Sequence, residues 1–231
     1  MQVFKLLGIG VIVCIHWLTF FHAIKIANVA VALVSLSAAA LFTSFLEPLF
    51  NRRKIYIPDM VAALFIILGI YLIFHFETRY TWGIIVGLTS AFMASLFTTI
   101  NSKQIQNRSA EIISFYEMTG GFLALSIYLF ISGNFNHFNF HLSGSDFAYL
   151  FLLGTVCTAM AYVMGVAVMK ELSAYTVVLT TNLEPVYGII LAYFIFGDKE
   201  HMTSGFYMGA GLILSTVFIY PIIKRRLNKN L

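Results

Sequence analysis

Charge is what this sequence has least of. Only 10% of its 231 residues are Asp, Glu, Lys or Arg, while 60% are hydrophobic. A soluble domain carries about 25% charged residues, so a water-facing globular fold is excluded. The mean hydropathy of +0.88 points the same way. Cysteine is scarce too. Cys14 and Cys157 both lie inside apolar segments, with no CxxC and no Cys/His ligand spacing. Neither a disulfide framework nor a zinc site is expected. No Walker loop, HExxH or GxSxG occurs, so nothing suggests ATP-driven transport or hydrolysis. The net charge of +4 is too small and too scattered for nucleic acid. No cofactor or metal is expected.

What is present is long apolar runs. A membrane span needs about 20 mostly apolar residues. Stretches near 3–24, 29–50, 57–76, 82–100, 112–132, 147–168, 174–196 and 203–222 qualify. The fold class expected is an all-α membrane protein with eight transmembrane helices. The N-terminal run lacks a small-x-small cleavage site and is too long for a signal peptide, so it reads as a retained helix. An even number of spans puts both termini on one side. That side collects Lys5, Arg52, Arg53, Lys54, Lys103, Arg108, Lys170, Lys224, Arg225, Arg226 and Lys229; the other has Lys25, Arg79 and Lys199. By the positive-inside rule both termini are cytoplasmic.

An internal repeat runs through the chain. WLTFFHAIKIANVAVALVSLSAAALFTSF, from Trp17, aligns without gaps to YVMGVAVMKELSAYTVVLTTNLEPVYGII, from Tyr162, at an offset of 162 − 17 = 145. Lys25 then meets Lys170, Ser35 meets Thr180 and Ser37 meets Asn182. Lys25 falls outside and Lys170 inside, so the copies are inverted. Inverted repeats are a transporter device, two halves rocking around a site near the midplane.

Two segments carry a family resemblance: HAIKIANVAVALVSLSAAALFTSFLEPLFNRRKI and AVMKELSAYTVVLTTNLEPVYGIILAYFIFGDKEHM. A span, Ala-x-Lys, a short turn, a small-residue span and then a basic or Gly-Asp turn resembles the EamA branch of the drug/metabolite transporter superfamily. The resemblance covers essentially the whole chain, and its soft motifs specify fold better than substrate. It implies ten helices as two inverted repeats of five. It also implies movement of small metabolites, amino acids or drugs, often outward. The match starts at the family's third helix, so the first two, on the order of 60–70 residues at span length, are expected to be missing. Either the natural start lies upstream, or this is a shortened form that does not transport alone. The expected organisation is an incomplete N-terminal repeat, 1–80, with three helices. A five-helix C-terminal repeat with a basic tail follows, 81–231.

The candidate site residues begin with Glu184-Pro185, an acid and a helix breaker in the middle of a span. A charge at that depth costs at least about 2.5–3.5 kcal/mol. Glu184 must face the bundle interior or a wet cavity, or carry a proton. Pro185 has no N–H, so the carbonyl of Thr181 loses its helical partner, and the freed oxygen adds to the polar spot. The aligned residues in the first copy are Ala39-Ala40, so the fold does not demand an acid there. Asn182 lies half a turn away. His16 is able to relay protons, and Trp17 and its counterpart Tyr162 to form an aromatic wall; a lone histidine also serves as a hydrogen-bonded core group. Tyr116 and Glu117 enter a span from the cytoplasmic side, Glu117 about 8 Å in. They read as a cavity mouth, or as reaching the headgroups. Gly120-Gly121 read as close helix packing.

The remaining polar residues read as structural. Glu47-Pro48 is an interfacial acid with a proline ending its helix. Lys25 and Lys170 are snorkelling anchors. His137 and His141 stand four apart in an Asn- and Gly-rich loop and make a poor metal site. Asn107-Arg-Ser109 is a sequon on the cytoplasmic side.

The expectation is a secondary transporter exporting a small metabolite or amino acid, with proton coupling through Glu184. It resides in a bacterial inner (plasma) membrane, where a second copy would cover an exposed flank of the bundle. The alternatives are a non-transporting membrane partner and, with less support, a membrane-embedded lipid enzyme. The latter would want several acids or histidines together at one interface, and none are.

Overall fold

A computed structural model describes residues 2–52, 57–133, 142–197 and 202–229. Arg53, Lys54, His137, His141 and Lys199 lie outside the described residues. Every regular element among the described residues is helical, and none is a strand.

The helices are α1 (Gln2–Ile26), α2 (Val29–Leu36), α3 (Ala39–Asn51), α4 (Ile57–Phe76), α5 (Thr81–Gln104) and α6 (Ala110–Ile131). They continue with α7 (Gly144–Leu152), α8 (Ala161–Val168), α9 (Ala174–Thr181), α10 (Glu184–Phe196) and α11 (Ser204–Lys229). A π-helical stretch, Leu153–Met160, joins α7 to α8. Six stretches are long and apolar enough to cross a membrane: Gln2–Ile26, Val29–Asn51, Thr78–Asn107, Ala110–Ile131, Gly144–Val168 and Ala174–Phe196. Leu64–Phe76 and Ser204–Tyr220 are shorter apolar helices.

Side-chain caps set several helix starts, as expected where the first N–H groups have no helical partner. Asn28 Oδ1 accepts from Val31 N at 2.9 Å. Ser109 caps α6 by accepting from Ile112 N. Ser143 and Asp146 exchange bonds in a capping box at α7. Pro48 does not end its helix: α3 runs on to Asn51 and closes on Arg52 at φ 53°. The cost of that proline is one lost donor to the carbonyl four residues back, which the helix tolerates.

Two apolar segments read as single spans are each broken in the middle. The α2–α3 break falls at Ser37–Ala38 and the α9–α10 break at Asn182–Leu183. Around each, i→i+3 bonds replace the helical pattern: Ala38 N to Ser35 O at 3.1 Å, Leu183 N to Thr180 O at 3.1 Å. Ser37 Oγ also bonds back to Leu33 O at 3.3 Å, a contact that bends helices.

The chain forms two compact units. The first holds Met1–Cys14 and Ile100–Ser173; the second holds Ile15–Thr99 and Ala174–Leu231. In the first, the start of α1 packs on α6, and α6 packs on α8. In the second, α2 packs on α10, α3 on α9 and α4 on α11. Its core gathers Val31, Val34, Ile66, Ile84, Phe206 and Ile213, all nearly inaccessible. Backbones approach closely where Gly69 of α4 meets Gly209 of α11: a Cβ on either would strike the other's carbonyl.

Candidate functional site

In the first unit, the polar centre is built on Glu117. It lies two turns into α6, on the turn that meets α1. A Cβ at Gly10 would collide with the Glu117 carbonyl, and one at Gly120 with the carbonyl of Leu7. With no side chain at either glycine, the two backbones touch at this turn. Glu117 is 0% exposed and does not reach the headgroups.

Two donors converge on one of its oxygens. Tyr162, on the first turn of α8, donates its hydroxyl to Glu117 Oε2 at 2.6 Å. Asn101, near the end of α5, donates Nδ2 to the same oxygen at 2.9 Å and lies 3.4 Å from the Tyr162 hydroxyl. Charged hydrogen bonds of this length are the strong ones. The other halves of the groups are empty. Glu117 Oε1, Asn101 Oδ1 and Ser114 Oγ are buried and have no partner among the described residues. Of the residues singled out in the sequence, this unit brings Glu117 and Tyr162 together. Tyr116 does not join them; its ring leans edge-on against Phe115. Asn101 stands just past the apolar run of 82–100, where a polar stretch opens. Yet α5 continues to Gln104, so Asn101 is still helical and fully buried. An asparagine standing where the apolar run has just ended was the available signal.

The second unit holds the other candidates. Asn182, buried at the α9–α10 break, donates Nδ2 to Ser37 O at the α2–α3 break, 3.1 Å away. Thr181 is exposed, and its hydroxyl turns back to Val178 O at 2.8 Å. Glu184 opens α10, half-buried, with Pro185 buried behind it, and its carboxylate makes no hydrogen bond to a described residue. Glu184 and Asn182 therefore do not share one hydrogen-bond network. His16 has Nδ1 held 2.8 Å from Ser90 Oγ and 3.0 Å from Ser90 O, with Phe97 beside the ring. Ser90 of α5 thus fixes one ring nitrogen of a half-buried histidine. Trp17 follows it, half-buried. Lys25 and Lys170 are exposed at helix ends.

Two acids of this unit act as caps across the chain. Glu47 Oε2 accepts from Tyr175 N at 2.9 Å. Glu77 Oε1 accepts from Thr203 N at 2.7 Å, while its other oxygen pairs with Arg79 at 3.5 Å. Acids at helix starts complement the helix dipole. A groove of about 400 Å³ runs between α4 and α11, lined by apolar groups such as Phe65 and Ile219. None of the candidate residues lines it.

Comparison with known proteins gives three likenesses. An "Uncharacterized transporter" of Archaeoglobus fulgidus is 25% identical over 214 residues, covering 93% of this chain and 75% of that protein. A protein of known crystal structure superposes over 96% of this chain and 77% of its own, with a TM-score of 0.67 at 15% identity. At that identity the likeness is one of fold. The EamA-like transporter family matches residues 81–220, more than half of the chain. With its buried polar centre and apolar helices, this integral membrane protein belongs to the EamA-like transporter family.

Proposed function

We propose that the chain is a secondary transporter that moves a small organic solute, a metabolite or amino acid, outward across a bacterial inner membrane. Eight spans make two inverted copies, an incomplete one of three helices, 1–80, and one of five, 81–231, with both termini in the cytoplasm. The observation that carries this reading is the pair of broken helices. The offset of 145 moves α2 (Val29–Leu36) onto α9 (Ala174–Thr181), and α3 (Ala39–Asn51) onto α10 (Glu184–Phe196). It also moves Ser37 onto Asn182, and these two residues hydrogen-bond to each other. Equivalent positions of two copies meet only near the axis that relates them. The packing of α2 on α10 and α3 on α9 is unchanged when the copies are exchanged. Broken helices at the repeat interface are where transporters of this kind hold solute and coupling ion.

Glu184 is assigned to solute or coupling, together with Thr181, His16 and Trp17; Tyr116 belongs to the cytoplasmic approach. Support for Glu184 is its mid-segment depth, its partial exposure and the lack of a hydrogen-bond partner among the described residues. The test is counterflow of a panel of amino acids and small carboxylates into liposomes holding the purified full chain. A transported solute is expected, with Glu184→Gln reducing its rate at least tenfold or flattening its pH dependence. Wild-type rate and unchanged pH dependence in Glu184→Gln would remove that residue from the mechanism. No flux of any solute by the wild-type chain would favour a membrane partner that does not transport alone.

A further inference from the structure

The two oxygens left empty in the first unit are both acceptors. Glu117 Oε1 belongs to a carboxylate and Asn101 Oδ1 to an amide; each needs a donor, and neither supplies one. Buried acceptors without a donor are costly, and a buried carboxylate without a counter-charge more so. Among the described residues Glu117 meets no lysine or arginine: Lys5 of α1 and Lys103 of α5 are both exposed. The titratable group that touches it is Tyr162 of α8, which donates to Oε2; on α1 the nearest is the thiol of Cys14, one turn past Gly10 and beside Gly121. Neither brings a positive charge.

One small cation satisfies both acceptors together. A carboxylic acid and a carboxamide join by two parallel bonds: amide N–H to one acid oxygen, acid O–H to the amide oxygen. Here the first arm is made, Asn101 Nδ2 to Glu117 Oε2 at 2.9 Å, and the oxygens that the second arm would join, Glu117 Oε1 and Asn101 Oδ1, are the two buried acceptors without a partner among the described residues. Hard metal cations of the calcium and magnesium type take six or more oxygens. With Ser114 Oγ, the empty side-chain oxygens here number three.

We propose that Glu117 and Asn101 form a proton-binding pair, the proton carried on Glu117 Oε1 and donated to Asn101 Oδ1. Uptake forms one O–H bond on Oε1, with the proton drawn from water; release breaks that bond and returns the proton to water. No electrons change hands. Tyr162 positions the pair by fixing Oε2, so that Oε1 is the oxygen that gains and loses the proton. That this proton drives solute movement rests on the transport reading above; that the pair binds it does not.

Infrared difference spectroscopy of the purified full chain in nanodiscs, between alkaline and acidic buffer, tests the site without a solute. A buried carboxylic-acid carbonyl band is expected to rise reversibly on acidification and to shift in deuterium oxide. Glu117→Gln should abolish it. The glutamine amide reproduces both arms of the pair, so this variant is expected to fold with an unchanged elution volume. Asn101→Leu should move the band to higher wavenumber, because the acid O–H loses its acceptor. That second variant guards against loss of the band through misfolding. A band absent from the wild type at every pH, or one that neither Glu117→Gln diminishes nor Asn101→Leu shifts in a Glu184→Gln background, overturns the proposal. So does a band that sodium chloride removes at constant pH, which would make the site one for a metal cation. Failure of solute flux in liposomes with this band intact would overturn the transport reading alone.

Discussion

Single polar side chains in this protein do work that apolar neighbours cannot. Asn182 holds the Ser37 carbonyl, which an ordinary turn of helix would have used internally. Replacing it with leucine removes one interhelical bond and leaves the Ser37 carbonyl with only the long bond from Ala40 N, 3.4 Å. Such bonds inside membrane proteins average about 0.6 kcal/mol and reach about 1.7 kcal/mol. Asn182→Leu is therefore expected to lower thermal stability within that range, read from the unfolding midpoint of the purified protein. An unchanged midpoint would mean that the bond is not formed in the membrane. Glu47 and Glu77, by contrast, are spoken for as caps.

At the scale of elements, the two breaks have different sequence origins and similar geometry. Pro185 follows the second break; the first has only Ser37 and Ala38. Proline is thus not the shared cause. What the two breaks share is that their segments pack on each other, α2 on α10 and α3 on α9, with Asn182 of one break bonded to Ser37 O of the other. Pro185→Ala is expected to leave the break in place. Hydrogen exchange at the amides of residues 182–184 should stay faster than in the flanking turns. Continuous protection through these residues would show that the proline makes the break.

This contrast also measures what was legible beforehand. The helices could be read, because their apolar runs match the thickness of a bilayer. A disturbance at Pro185 could be read, because a missing N–H is a local property. The break at Ser37 could not, because alanine and serine tolerate helix and its bonding partner Asn182 is 145 positions away. Glu117 and Tyr162 were each visible as candidates, but their pairing depends on how α6 and α8 pack. The π-helical stretch ahead of α8 contributes to that hidden information. Its wider turns change the angle at which Tyr162 leaves the helix.

For the whole molecule, the surface is as informative as the interior. Phe130, Ile131 and Phe194 are each nearly four-fifths exposed, and Gly144–Val168 is almost entirely so. Such a surface is stable only in lipid. The orientation it takes there follows from the distribution of Lys and Arg. With Cys14 and Cys157 replaced, cysteine at Thr78 is expected to react with a membrane-impermeant maleimide added outside intact cells. Cysteine at Asn107 should react only after permeabilisation. The reverse pattern would invert the topology, and equal labelling would break the span assignment between them.

The second unit is built from two stretches of chain with Ile100–Ser173 between them. Every long-range bond described in it between early and late helices waits for the late stretch: Ser37 for Asn182, Glu47 for Tyr175, Glu77 for Thr203. At ribosomal speeds of about 5–20 residues per second, the early helices sit in the membrane for on the order of ten seconds before their partners exist. Through that interval the carboxylates of Glu47 and Glu77 wait for the N–H groups of the late stretch. Biogenesis therefore needs a holding place for the first half of this chain, whether the insertion machinery, a chaperone of the membrane or water at the bilayer edge.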